Sequence, residues 1–187
     1  MVAEPHTPTK AQLLDALRAS RDDALARLRA LPPEEFERGR YENGWNGRQI
    51  LAHIASIEWT YPRLLDVAKE APAAAPAPAQ ISRTEPGEAP AGTPTRIAQG
   101  GIDSYNDRQV ARRAEASVAE LLDEFARNRD ATIAAVEAAD EALFARPIRS
   151  AGGITGALAG VINAVAVQHV HGHVADLCGA ELTGQRW

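Results

Sequence analysis

The stretch Leu158-Ala-Gly-Val-Ile-Asn-Ala-Val-Ala-Val-Gln-His169-Val-His171-Gly-His173-Val-Ala-Asp176-Leu-Cys178 decides the fold class. Small and branched apolar residues recur in it at helical spacing, and Gly179 follows where a helix C-terminus favours glycine. Counting 100° per residue from Leu158, Ile162 falls at about 40°, Val165 at about −20°, His169 at about 20° and His173 at about 60°. Two imidazoles therefore share the apolar stripe. His171 falls at about −140°, faces solvent, and serves as a control against mere histidine richness. The most apolar part, Ala157 to Val167, is interrupted by Asn163 and falls far short of the roughly 20 residues that a membrane-spanning helix needs.

Working outward, this is the last of four predicted helices, with a start near Thr155. The first runs from about Thr9, where Thr9 and Gln12 have capping-box spacing, to Leu31 before Pro32 and Pro33, with Leu13, Leu17, Ala24 and Leu28 facing inward. The second starts at Asn46, with Gln49 in position to reach back and Trp45 to staple onto Ile50, and continues to about Lys69. Pro62 is placed to kink it or end it early. Residues 71–101 then turn abruptly to Pro, Ala, Gly, Ser and Thr, which reads as a crossover, a lid or partial disorder. The third helix starts at Asp103 or Ser104 and reaches about Ala139, with Ser117 as a candidate break. No strand is predicted, so the expected fold is an all-α four-helix bundle in a single domain, 1–187.

Composition agrees. The chain of 187 residues is 45% hydrophobic but only 5% aromatic, which suits packed helices and argues against an all-β fold. With 25 acidic against 20 basic side chains the net charge is −5, so no global field draws the protein to nucleic acid or to an anionic membrane. Cys178 is the lone cysteine, and Met1 to Lys10 carries neither a basic leader nor an apolar run; a cytoplasmic protein is expected. Lys10 and Lys69 are the only lysines beside many arginines, a bias of GC-rich bacterial genomes. Glycine-rich phosphate loops, a nucleophile elbow and a CxxC pair are missing, which counts against ATPase, α/β-hydrolase and thioredoxin chemistry.

His53 lies between Ile50 and Ile57 at helical spacing and points inward. Histidines at i and i+4, as at 169 and 173, can bind one metal ion, and a third imidazole from a neighbouring helix leaves open positions for water or substrate, the layout of a catalytic site. A single buried histidine is more often a hydrogen-bonded core residue; three on inward faces at one level favour the metal. They share a level only if helices two and four run antiparallel. An up-down-up-down order would separate them by roughly 10 Å or more. The 71–101 segment is long enough to return along the second helix, so the expected order is up-down-down-up, with the crossover between helices two and three. Asp176, on the face of His169, either orients an imidazole or takes a proton, or is a simple surface carboxylate near the helix end. Glu58 and Cys178 read as structural, and Arg108, Arg112 and Arg113 as a solvated face with ion pairs to residues such as Glu115, or as contacts to an anionic substrate.

The segment Gly44-Trp45-Asn46-Gly47-Arg48-Gln49-Ile50-Leu51-Ala52-His53-Ile54, followed by Glu58, resembles the tryptophan-led second helix of DinB/YfiT-like four-helix-bundle metalloproteins. His169-Val-His-Gly-His173-Val-Ala-Asp176 is similar to the H-x-x-x-H segment of their last helix. The resemblance implies an up-down-down-up bundle, frequently a homodimer, with a divalent metal, commonly nickel or zinc, on His53, His169 and His173. Some relatives are thiol-dependent enzymes, including mycothiol-dependent maleylpyruvate isomerase and bacillithiol S-transferases, so a low-molecular-weight thiol is a candidate cofactor. Asp176 departs from the glutamine often found there. The expected function is a metal-dependent thiol transferase or hydrolase acting on a small electrophilic molecule. The alternative is a non-enzymatic metal- or ligand-binding stress-response module.

Overall fold

The computed structural model describes residues 7–40, 44–72, 80–85 and 88–179. It is predominantly helical: α1 (Lys10–Arg29), α2 (Pro33–Glu37), α3 (Gly47–Glu58), α4 (Pro62–Glu70), α5 (Ile102–Ala111), α6 (Val118–Ala138), α7 (Leu158–Ile162) and α8 (His169–Leu177), with a 3-10 turn at Glu141–Ala145. α7 and α8 are joined by a π-helical stretch, Asn163–Gln168. Among the described residues no helix is long and apolar enough to cross a membrane.

The helix starts follow from side-chain chemistry. Thr9 with Gln12, Asn46 with Gln49 and Ser117 with Glu120 each form a reciprocal capping box, so two otherwise orphaned backbone donors are satisfied at each start. The expected second helix ends at Glu58 and resumes at Pro62, which occupies the first position of α4, where its missing N–H costs nothing. The expected third helix is broken between Ala111 and Val118 because Ser117 caps a new start, and α5 begins after Gly101 rather than at an Asp103 or Ser104 cap. Gly47 is required by packing: a Cβ there would stand 2.6 Å from the Glu35 carbonyl oxygen and 2.8 Å from Cα of Phe36.

The expectation of no strand is overturned. Ser82–Arg83 (β1), Pro147–Arg149 (β2) and Ile154–Ala157 (β3) form an antiparallel sheet in the order β1-β3-β2, with Arg149 opposite Thr155 and Ser82 opposite Thr155 on the other side. Consequently the last helix starts at Leu158, since Thr155 is part of β3. The strands are too short to write an alternating pattern, and one lies within the Pro-rich crossover, so only long-range pairing defines them. Gly153, at φ 86°, makes the turn between β2 and β3.

The apolar residues form two adjoining clusters. One gathers Leu13, Leu17, Tyr61, Ile133, Leu158 and Ile162; the other gathers Ala24, Phe36, Ile50, Ile54, Phe125 and Val174. Relative helix directions are written in the cross-helix contacts. Asn128 Nδ2 donates to the Ala55 carbonyl and Thr132 Oγ1 to that of Glu58, so α3 and α6 ascend together. Lys10 Nζ donates to the carbonyls of Glu137 and Ala139, and Arg21 pairs with Asp130, so α1 runs against α6.

Where the clusters meet, Arg129 is fully buried and forks onto Glu58, with Nε to Oε1 at 2.7 Å and Nη2 to Oε2 at 2.9 Å. Its Nη1 and Nη2 also donate to the carbonyls of Leu17 and Ala166, respectively. Burial pushes the Glu58 carboxyl up, and Arg129 pulls it back down. Removing one partner strands a charge in the core. Arg129→Met is therefore expected to destabilise the fold by about 3–5 kcal/mol, and Glu58→Leu/Arg129→Met to recover most of that loss in urea unfolding.

Candidate metal centre

Three histidines expected to converge do so. α3 runs against the last helical segment: Gly47 lies beside Leu177, His53 beside His169 and His173, and Tyr61 reaches Val165. Across that contact, Nε2 of His169 lies 3.5 Å from Nε2 of His53 and 2.9 Å from Nε2 of His173. The rings are set edge to face, with interplanar angles of 87°, 82° and 73°. All three can offer one ligand atom within 4.8 Å of one another. For metal–nitrogen bonds of 2.0–2.1 Å, two ligand nitrogens stand about 3.3 Å apart at a tetrahedral angle and about 2.9 Å apart at a right angle. The 2.9 Å spacing falls in that range, the 3.5 Å spacing lies slightly beyond it, and all three ligand atoms stay within 4.8 Å of one another. A hydrogen-bonded histidine pair would account for one of these contacts, not for three ligand atoms within 4.8 Å of one another.

His53 and His173 are buried, His169 is half-buried, and His171 is exposed, as its place on the helix predicts. Of the three rings, that of His169 keeps the most exposure to solvent. Burial lowers the His169 pKa to about 4, opposed by a hydrogen bond to the Val165 backbone and reinforced by the charge of Arg83. Burial and then His169 hold His173 well below its ordinary range. Both rings are neutral at pH 7, which is the state that binds metal.

The elements that aim these rings were not all foreseen. Trp45, expected as a staple, also packs its ring against His53, with centroids 5.1 Å apart. In the π-helical stretch each backbone bond skips one residue further than in an α-helix, and such stretches concentrate at functional sites. Two of its carbonyls take side-chain donors: Val165 accepts from Tyr61 Oη at 2.5 Å, and Ala166 accepts from Arg129. Since His169 Nε2 faces the other imidazoles, its Nδ1 is the atom that can donate to Val165. Burial raises the Tyr61 pKa well above 10, which keeps the phenol a donor. Sequence reading passed over Tyr61 and Arg129. Their signal was a polar group on an apolar stripe: Arg129 stands between Phe125 and Ile133, and Tyr61 between Ile57 and Leu64.

Asp176 is buried on α8, one turn beyond His173, rather than at the surface. Glu58 is structural, as read. Cys178 is half-buried against the core. The basic run is dispersed. Arg113 pairs with Glu124 across the α5–α6 corner instead of with Glu115, Arg108 donates to the Gln99 carbonyl, and Arg112 is exposed. A cavity of about 530 Å³ between α4 and α6, lined by Leu65, Ala135 and Leu143, lies away from the histidines. A smaller one of about 260 Å³ between α3 and α5 abuts Trp45.

The chain matches the family model of the DinB superfamily over residues 16–177. No curated protein and no solved structure matches it significantly.

Between pH 6.5 and about 4 the unfolded chain holds a proton at position 169 that the folded, metal-free protein does not. Stability therefore rises with pH across that window and falls on acidification, by on the order of 3 kcal/mol from this residue. Urea unfolding of chelator-treated protein at pH 7 and pH 4.5 should show a smaller difference in His169→Gln than in the unaltered chain; equal differences would refute the assignment.

Proposed function

The chain belongs to the DinB superfamily, and on that footing we propose that it holds one divalent metal ion on Nε2 of His53, His169 and His173 and uses it to transfer a thiol to, or hydrolyse, a small electrophilic molecule. The gathering of three imidazoles whose ligand atoms lie within 4.8 Å of one another carries this reading. Zinc or nickel suits the donor set, and a low-molecular-weight thiol is the cosubstrate that some relatives imply. A cation on three neutral nitrogens keeps its charge, lowers the pKa of a bound water or thiol and polarises a carbonyl.

The chain's own residues supply the rest. His53 and His173 lie buried away from water, and His169 keeps the most exposure of the three. Tyr61, through the Val165 carbonyl, fixes the ring orientation of His169. Asp176, one turn beyond His173, is read as orienting an imidazole or holding a proton. The relative directions of α1, α3, α6 and α8 support an up-down-down-up bundle, with residues 71–101 as the crossover. One domain spanning 1–187, a homodimer and a cytoplasmic setting belong to the same reading.

Tag-free protein should carry about one equivalent of metal by elemental analysis, lost in His53→Ala and His173→Ala and retained in His171→Ala. Equal loss in all three would defeat the facing argument. Turnover in a screen of thiols with small electrophiles would establish the enzyme, whereas metal without turnover would point to a binding module. Tyr61→Phe should keep the ion but bind it about tenfold more weakly in chelator competition.

A further inference from the structure

Between α2 and α3 the chain pairs with itself. Gly39 and Asn46 form an antiparallel bridge, and the Gly47 N–H donates to the Arg38 carbonyl at 3.1 Å. Inside this pairing the Arg40 N–H donates to the Trp45 carbonyl at 3.0 Å. The backbone of Arg40 is thereby tied to the residue whose ring packs against His53. Its side chain, only 6% exposed, reaches the other way. Nη2 pairs with the Glu35 carboxylate and donates to the Leu177 carbonyl at 3.0 Å, in the last turn of α8.

Carbonyls in the last turn of a helix lack an intrahelical donor and carry the negative end of its dipole, so a buried guanidinium serves there as both partner and counter-charge. Leu177 stands one turn beyond His173 on the same face of α8. Its Cδ2 lies 3.0 Å from where a Cβ on Gly47 would stand, so the end of α8 is seated on the start of α3. Arg40 therefore holds both helices that carry the buried imidazoles, whose ring centroids are 5.1 Å apart. A desolvated guanidinium does not give up such acceptors cheaply, since each lost bond leaves a buried donor unpaired.

We propose that Arg40 is a positioning residue for the three-histidine centre: by holding Trp45 through its backbone and Leu177 through its guanidinium, it fixes the placement of the His53 and His173 rings relative to each other. Glu35 keeps the guanidinium in place as its counter-charge. Arg40 acts through Trp45 and Leu177 rather than on an ion. Its effect on ion affinity rests on the metal-dependent reading, whereas the placement of the rings is a property of the chain without metal.

The test has two arms. In chelator-treated protein the ring-proton NMR resonances of His53 and His173 should shift in Arg40→Met and stay in place in Val136→Ala, which opens a cavity in the other apolar cluster. In the second arm Co2+ is titrated at pH 7 against a competing chelator. Arg40→Met should bind it about tenfold more weakly and Arg40→Lys about threefold, because an ammonium keeps the charge but not the fork, with Val136→Ala within about twofold of the unaltered chain. Thermal melts establish that each variant is folded where it is measured; if Arg40→Met is not, Arg40→Lys carries both arms. Ring resonances that do not move would overturn the proposal. So would unchanged Co2+ affinity, or equal weakening in the Arg40 variant and Val136→Ala, which would mark a general loss of stability. An unaltered chain that binds no Co2+ would sink the three-histidine reading instead, and the metal-free resonances would still decide the role of Arg40.

Discussion

The buried fork between Arg129 and Glu58 is the constraint around which the helices are arranged. A guanidinium with no exposure to water must spend all its donors on acceptors in fixed directions, and here they lie on three other elements: the carboxylate of α3, the Leu17 carbonyl of α1 and the Ala166 carbonyl of the π-helical stretch. Apolar packing alone tolerates a helix sliding by part of a turn, because one Leu contact replaces another. A charged fork does not, since a slip leaves a desolvated charge without its partner. The pair thus sets register between elements far apart in sequence.

That register reaches the histidines through the backbone. A π-helical stretch presents carbonyls that an α-helix would have engaged, and in a dry interior these need donors. Arg129 supplies one at Ala166 and Tyr61 supplies another at Val165, and Val165 also takes a hydrogen bond from the ring of His169. The rigid core and the soft aiming of an imidazole are in this way one network. It also accounts for the position of Tyr61 at the break between α3 and α4: Pro62 ends one helix and starts the next, and the turn directs the phenol toward the last helical segment.

The parts of the site that were legible in the sequence are those governed by local periodicity. His53 between Ile50 and Ile57, and His169 with His173 on one stripe, had to face inward once the segments were helices, and His171 had to face out. The caps at Thr9 and Asn46 were legible for the same reason, since a box is closed within four residues. Less legible was anything that needed two distant segments at once. The strand within the crossover has two residues, too few for any pattern, and exists only because Ile154 and Thr155 lie beside it. Arg113 takes Glu124 and not Glu115 because a turn at the α5–α6 corner brings the farther residue closer.

What the sequence determined by itself was the helical class, the main helix starts and the three inward imidazoles, because each depends on spacing along a single helix and on side chains within one or two turns. What only the tertiary structure decided was the sheet, the π-helical stretch, the partner of Glu58 and the distances between the three nitrogens. These depend on which backbone groups are left unsatisfied after packing, and that demand arises only when distant segments have excluded water from one another.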